Sequence, residues 1–217
     1  MPPGRRGKYL GFVAHEIKNP LATALWSCDL LKRMDAADRA GPRADKMIDA
    51  SLRALRRMRR LVDDYFTMER LQEQGYELRP EPVELRSLVE GAISQLGEKE
   101  GMSTEGWSMD VPAQVQVAGD QDMLKRAIRL LLEHLARGAA GTRISVVGRG
   151  APEGAQLVLR ADPSPEKLVP PVPEERPSGD PTGAVLGFAL ADTILRAHQG
   201  SVEEKDKALF VVLPARS

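Results

Sequence analysis

The amino-acid sequence predicts two structural parts: an antiparallel helical hairpin that pairs with a second copy as a dimeric four-helix bundle, and a two-layer α+β sandwich. Two long stretches, at about 5–36 and 43–74, carry apolar residues at the spacing of amphipathic helices, with a short polar turn between them. Farther along the chain, helix-type and strand-type patterns alternate. We therefore predict that residues 1–75 form one domain and residues 76–217 a second.

The first predicted helix presents one apolar face and one polar face. His15 and Asn19 lie one turn apart on the polar face, with Glu16 beside them. Pro20 has no amide N–H to donate to the carbonyl of Glu16, so a kink is expected just after His15. An exposed imidazole next to a carboxylate indicates chemistry at that imidazole. The apolar face comprises Leu10, Val13, Ala14, Ile17, Leu21, Leu25, Cys28 and Leu31.

The second predicted helix follows the turn at Gly41-Pro42 and stops at Gly75. Its apolar stripe has a spacing that suits a supercoiled bundle. A single hairpin cannot bury the apolar faces of both helices, so we expect a homodimer built on a four-helix bundle. The stripe comprises Ile48, Leu52, Leu55, Met58, Val62, Tyr65 or Phe66, and Met68.

A cluster of arginines covers the outward side of this second helix. A run of like charge on a helix is most simply a solvated face. The cluster also suits docking of an acidic protein partner, because it lies alongside the hairpin that carries His15, and both interpretations stay open. Arg53 and Arg56 are the candidate docking residues. The whole cluster comprises Arg53, Arg56, Arg57, Arg59 and Arg60.

The second part begins with an extended segment and continues with helices and strands. The prolines within Leu78–Val83 exclude a helix there and indicate a linker or an edge strand. Asp120 and Asp122 are both suitable N-caps for a following helix. Seven prolines within Pro163–Pro181 predict a stiff connection. The other predicted elements are helices at 84–98, 120–137 and 184–198, and strands at 106–111, 115–118, 143–148, 156–161, 201–204 and 208–213.

The composition excludes several classes of function. Lysine plus arginine number 31, and so do aspartate plus glutamate, so no net positive charge favours nucleic-acid binding. No apolar run approaches the roughly 20 residues of a membrane-spanning helix. We therefore predict a cytoplasmic protein without a membrane span, and a sensing part that lies elsewhere. Cys28, the single cysteine, is interpreted as a core residue in a reducing compartment.

The segment FVAHEIKNPL, residues 12–21, resembles the H-box of bacterial sensor histidine kinases in its order H-E-x-x-N-P-L. The resemblance implies that His15 is the phosphoacceptor and that Glu16 makes it a better nucleophile through a hydrogen bond. It also implies that Asn19 orients the water or phosphoryl group during transfer to or from a response regulator. The order of the later elements is similar to the ATP-binding domain of the same family. The segment around His198, AHQGSV, matches the family as well, and there the histidine is structural.

The motif that binds Mg²⁺ in this family is altered. Where the family has N-L-L-x-N-A-x-K, residues 130–137 read LLLEHLAR. Both asparagines are lost, His134 occupies the position of the Mg²⁺ ligand, and Arg137 keeps the positive charge. Mg²⁺ prefers oxygen ligands to imidazole. No second ligand lies four positions from His134, so we interpret it as a packed side chain and predict no metal site.

The glycine-rich motifs of the family are altered too. The first, D-x-G-x-G in the family, reads DPSPE: Asp162 is kept, both glycines are lost, and Asp162 is most simply the end of a strand. The second, G-x-G-L-G-L in the family, reads GAVLGF: Gly183 and Gly187 are kept, but Val185 replaces the middle glycine. The resemblance therefore leaves Asp162, Arg137, Gly183 and Gly187 as a vestigial nucleotide site, and no cofactor is expected.

An intact phosphoacceptor motif beside altered ATP motifs leads to three hypotheses. The first is a dimeric histidine phosphotransferase or pseudokinase that carries phosphoryl on His15 and exchanges it with a response-regulator receiver domain, with an upstream histidine kinase as a further candidate donor. The second is an atypical histidine kinase that still binds Mg-ATP and autophosphorylates His15. The third is a non-enzymatic dimeric scaffold that binds a signalling partner.

Overall fold

The computed structural model describes residues 3–73, 75–100, 102–137, 141–151, 154–165, 168–170 and 184–214. They divide into two compact units: α1, α2 and most of α3 lie in the first, and the strands, α4, α5 and most of α6 lie in the second. The helices are α1 (Pro3–Arg33), α2 (Ala36–Arg39), α3 (Pro42–Gln72), α4 (Leu85–Glu100), α5 (Gln121–Ala136) and α6 (Ala184–Ala197). The strands are β1 (Glu81–Glu84), β2 (Ser108–Asp110), β3 (Gln116–Gly119), β4 (Arg143–Ala151), β5 (Gly154–Asp162), β6 (Ser201–Lys205) and β7 (Ala208–Pro214).

The first unit is the predicted helical hairpin. Helix α1 continues through Pro20. The predicted polar turn between the long helices contains the short helix α2, whose N-cap is Asp35: its side chain accepts a hydrogen bond from the backbone N–H of Asp38 at 2.8 Å. Among the described residues, none of the helices is both long and apolar enough to cross a membrane.

The buried side chains of the hairpin differ in part from the predicted apolar stripe. Leu10, Leu21 and Leu25 are 53%, 42% and 63% exposed, and Cys28, predicted to be a core residue, is exposed as well. Periodicity locates the apolar sector of a helix, but it does not specify which part of that sector meets which neighbour. The buried apolar residues are Tyr9, Phe12, Val13 and Ala24 of α1, and Ala44, Ala54, Leu61, Tyr65 and Met68 of α3.

The second unit confirms the predicted two-layer α+β architecture. Its five-stranded sheet has the order β2-β4-β5-β7-β6, in which β2 and β4 are parallel and the other neighbours antiparallel. Strands β1 and β3 form a separate antiparallel pair, as expected for a segment that the prolines confine to an edge. Helix α5 packs against α4 and against β4 and β5. Its buried side chains are Met123, Leu124, Ala127, Ile128, Leu130, Leu131, Leu132 and Leu135.

Asp120 and His198 form a buried polar connection in the second unit. Asp120 is the N-cap of α5, since its Oδ1 accepts a hydrogen bond from the N–H of Met123 at 3.1 Å. The N–H of Asp120 donates to Nε2 of His198 at 3.0 Å. Because that ring nitrogen accepts, Nδ1 carries the proton and donates to the carbonyl of Ile194 at 2.7 Å. The structural role predicted for His198 is confirmed.

Replacing Asp120 by alanine should lower the free energy of unfolding of this unit by about 1–2 kcal/mol, because α5 loses its cap. Asp122→Ala is the matched control: its side chain is 86% exposed, so the change should stay within about 0.5 kcal/mol. Urea unfolding followed by Trp107 fluorescence in a Trp26→Phe background measures both. Equal losses for the two variants would contradict the assigned cap.

Candidate functional site

Helix α1 presents His15 and Glu16 in opposite ways. The side chain of His15 is 44% exposed, whereas that of Glu16 is 1% exposed. Asn19, one turn further on, is exposed. The prediction that Glu16 lies on the exposed face beside the other two residues is wrong. Consecutive residues of an α-helix point about 100° apart, and here that step turns Glu16 toward α3.

The carboxylate of Glu16 is held between two side chains. Nη2 of Arg57 on α3 donates to Oε2 of Glu16 at 3.0 Å. The other oxygen, Oε1, lies 3.7 Å from Nδ1 of His15. Arg57 was predicted among the outward arginines, but its side chain is only 27% exposed and contacts the buried carboxylate. Sequence reasoning missed this pair because the two residues are 41 positions apart and helical periodicity does not reveal the register between helices.

The imidazole of His15 is buried on one side and open on the other. Its Nδ1 is buried, so the exposed part of the side chain lies on its other atoms, which include Nε2. A carboxylate near Nδ1 favours the tautomer with the proton on Nδ1, which leaves the Nε2 lone pair available. This arrangement can serve as a nucleophile with an acidic neighbour that orients it.

The predicted docking residues Arg53 and Arg56 are both exposed on α3. They lie in the same helix as Arg57: Arg53 is one turn before it, and Arg56 is the residue directly before it. This face of the hairpin is therefore positively charged and accessible to solvent.

His134 is a packed side chain in the second unit. Its Nε2 lies 2.8 Å from the carbonyl oxygen of Leu168. Its ring meets the ring of Phe188 edge to face, with the centroids 5.3 Å apart. This packing agrees with the interpretation of His134 from the sequence.

The charged residues predicted at the vestigial nucleotide site pair with other side chains. The guanidinium of Arg137 pairs with Glu133, whose other carboxylate oxygen accepts from Arg129 at 2.8 Å. Asp162 ends β5, is 75% exposed, and pairs with Arg143 at 2.9 Å. Gly187 is buried beside α5, where a Cβ atom would lie 3.3 Å from Leu130. Gly183 lies outside the described residues.

The chain is similar to sensor histidine kinases. The model of the His Kinase A (phospho-acceptor) domain matches residues 5–74. Sensor histidine kinase TrcS of Mycobacterium tuberculosis is 27% identical over 212 residues, which cover 91% of this chain and 41% of TrcS. Sensor histidine kinase MtrB of Mycolicibacterium paratuberculosis is 26% identical over 217 residues, which cover 90% of this chain and 36% of MtrB. Residues 5–74 therefore match the His Kinase A family, and the similarities together support a sensor histidine kinase family for this chain.

A solved histidine kinase structure has the same fold as this chain. Histidine kinase AdeS of Acinetobacter baumannii superposes with a TM-score of 0.70 at 13% identity, covering 94% of this chain and 98% of that one. At that identity the similarity establishes the fold alone. The chain spans less than half the length of TrcS and of MtrB.

At two positions of the motif that binds Mg²⁺ in the histidine kinase family, the side chains of this chain differ from those of the family. Mg²⁺ needs oxygen ligands in near-octahedral geometry, and the positions of the two family asparagines hold Leu130 and His134. The ring of His134 is already engaged with Leu168 and Phe188. Arg137 is engaged with Glu133.

Proposed function

We propose that this chain is a dimeric histidine phosphotransferase of two-component signalling, which carries phosphoryl on His15 and exchanges it with the aspartate of a response-regulator receiver domain. The supporting observation is the contrast between the two sites. His15 has an accessible ring edge and a buried carboxylate beside Nδ1. At the ATP-binding positions, in contrast, His134 and Arg137 are occupied by contacts within the protein.

The transfer step uses the exposed nitrogen of His15. The Nε2 lone pair attacks the phosphorus of the receiver's aspartyl phosphate, an N–P bond forms, and the P–O bond to aspartate breaks. The aspartate leaves as a carboxylate with the bonding electron pair. Glu16 compensates the positive charge that develops on the ring. Asn19 lies one helical turn away on an exposed position, where its amide can orient the phosphoryl oxygens.

The proposed dimer covers apolar side chains that the single chain leaves exposed. Leu25 and Trp26 of α1 are 63% and 62% exposed, and Leu55 of α3 is 50% exposed. Large exposed apolar side chains are a typical feature of interaction surfaces. A second copy of the hairpin supplies a matching apolar surface and completes a four-helix bundle.

A second candidate function is the active autokinase, which Asp162 and Gly187 favour because they are kept at family positions. In that case Mg-ATP, and not a receiver, supplies the phosphoryl group to His15. A scaffold without enzymatic activity is the third candidate, and it requires that His15 is never phosphorylated.

His15→Ala should abolish transfer of label from a phosphorylated receiver domain to the chain, because the acceptor nitrogen is lost. Circular dichroism of the variant should stay unchanged, since the imidazole is partly exposed. Lys32→Ala on the same helix is the matched control and should accept label normally. If the unchanged chain takes no label on His15 from any receiver or kinase of its own genome, the scaffold hypothesis replaces this one.

Leu55→Asp should dissociate the dimer, because a carboxylate buried at the interface without a partner costs several kcal/mol. Leu55 is half exposed in the single chain, so the hairpin itself should stay folded. Arg59→Asp, an exposed position on the same helix, should remain dimeric. Light scattering at micromolar concentration measures all three proteins, and a monomeric parent protein would contradict the dimer.

Reversing the charges of Arg53 and Arg56 to glutamate should weaken receiver binding and reduce its dependence on salt, because exposed charges act mainly on encounter. The transfer rate at saturating receiver should stay unchanged, since neither residue is part of the His15 chemistry. Arg43→Glu on the same helix is the control. Titrations with the receiver at several salt concentrations measure the affinity of each protein. Equal affinities for the double variant and the control would exclude this docking surface.

A further inference from the structure

The hairpin contains a charged pair that its packing does not require. Glu16 is fully buried between the helices of the hairpin. An apolar residue such as alanine or leucine could occupy that position without the cost of removing a charge from water. Burial of a carboxylate is costly unless a cation or several donors compensate it. Arg57 supplies one such contact across the seam at 3.0 Å.

The pair has a defined direction toward the phosphoacceptor. One carboxylate oxygen of Glu16 accepts from Arg57, which leaves the other oxygen facing Nδ1 of His15 at 3.7 Å. That Nδ1 is buried and has no hydrogen-bond partner among the described residues. The carboxylate therefore lies at the buried edge of the ring.

We propose that Arg57 is a positioning residue for His15, acting through Glu16. By fixing Oε2 it orients Oε1 toward Nδ1, so that the ring keeps its proton on Nδ1 and presents Nε2 unprotonated. The use of that Nε2 as the phosphoryl acceptor rests on the proposed function, whereas the tautomer itself does not.

The cation that contacts Glu16 belongs to α3 and not to the helix that carries His15. An arginine on α1 would move with His15 and Glu16 as one helix. Arg57 instead ties the carboxylate to the opposite helix, so the orientation of the ring depends on the register between the two helices. Any change of that register in the hairpin would reach His15 through this contact.

The test is ¹⁵N NMR of the imidazoles in the unphosphorylated full chain labelled with ¹⁵N-histidine. The chain has three histidines, and the resonances absent from His15→Ala identify His15. In the parent protein we expect a protonated Nδ1 and an unprotonated Nε2. Arg57→Met keeps the aliphatic stem and removes the charge, and should give averaged shifts that report a mixture of tautomers.

Three further variants make the result specific. Arg57→Lys keeps the charge and should restore most of the parent pattern, whereas Arg43→Met, an exposed position on α3, should leave it unchanged. Glu16→Gln should give mixed tautomers by itself. Adding Arg57→Met to Glu16→Gln should cause no further change, because Arg57 acts through the carboxylate. This neutral background also serves if Arg57→Met alone fails to fold.

Transfer kinetics provide the second readout. At saturating receiver, Arg57→Met should slow phosphotransfer on the order of tenfold or more, as loss of an orienting partner does for other functional histidines. Parent-type ¹⁵N shifts in a folded Arg57→Met, or an additional change in the Glu16→Gln background, would overturn the inference. If the tautomer responds as expected but His15 never accepts phosphoryl, the positioning role stands and the proposed function falls.

Discussion

The angular step between consecutive helical residues is the constraint on which the functional site depends. Residues 15 and 16 point about 100° apart, so one can face solvent while the next is buried against α3. His15 is 44% exposed and Glu16 is 1% exposed. The helix thereby places the imidazole of His15 outside and the carboxylate of Glu16 inside, where Arg57 contacts the carboxylate. In the proposed mechanism, the exposed ring is therefore oriented from within the hairpin.

In the second unit, the residues that specify the fold are not the ones at the positions where the family binds nucleotide. The buried face of α5 and the connection between Asp120 and His198 are complete. The altered positions are those at which the family binds Mg-ATP, and there the side chains turn to contacts within the unit, as His134 does with Leu168 and Phe188. The unit therefore keeps the architecture of the family while residues of its Mg²⁺-binding motif differ.

Much of the fold follows from sequence pattern. The long helices, the alternation of helices and strands, and the N-cap at Asp120 each rest on local signals, and the structure agrees with them. The packing partners did not follow. The stripe from Leu10 to Leu31 mixes buried and exposed residues, and Arg57 was predicted to face outward, because periodicity gives the apolar sector of one helix but not its register against another. The roles of His15, Glu16, Asn19, Arg53 and Arg56 stay predictions.

The source of the phosphoryl group on His15 distinguishes a histidine phosphotransferase from an autokinase. The purified chain is incubated in parallel with γ-labelled Mg-ATP at sub-millimolar concentration and with a labelled phosphorylated receiver domain from its own genome. Label on His15 is identified by its acid lability and by its absence in His15→Ala. We predict that His15 takes label from the receiver and none from Mg-ATP. Rapid labelling of His15 from Mg-ATP would contradict it and establish the chain as an active autokinase.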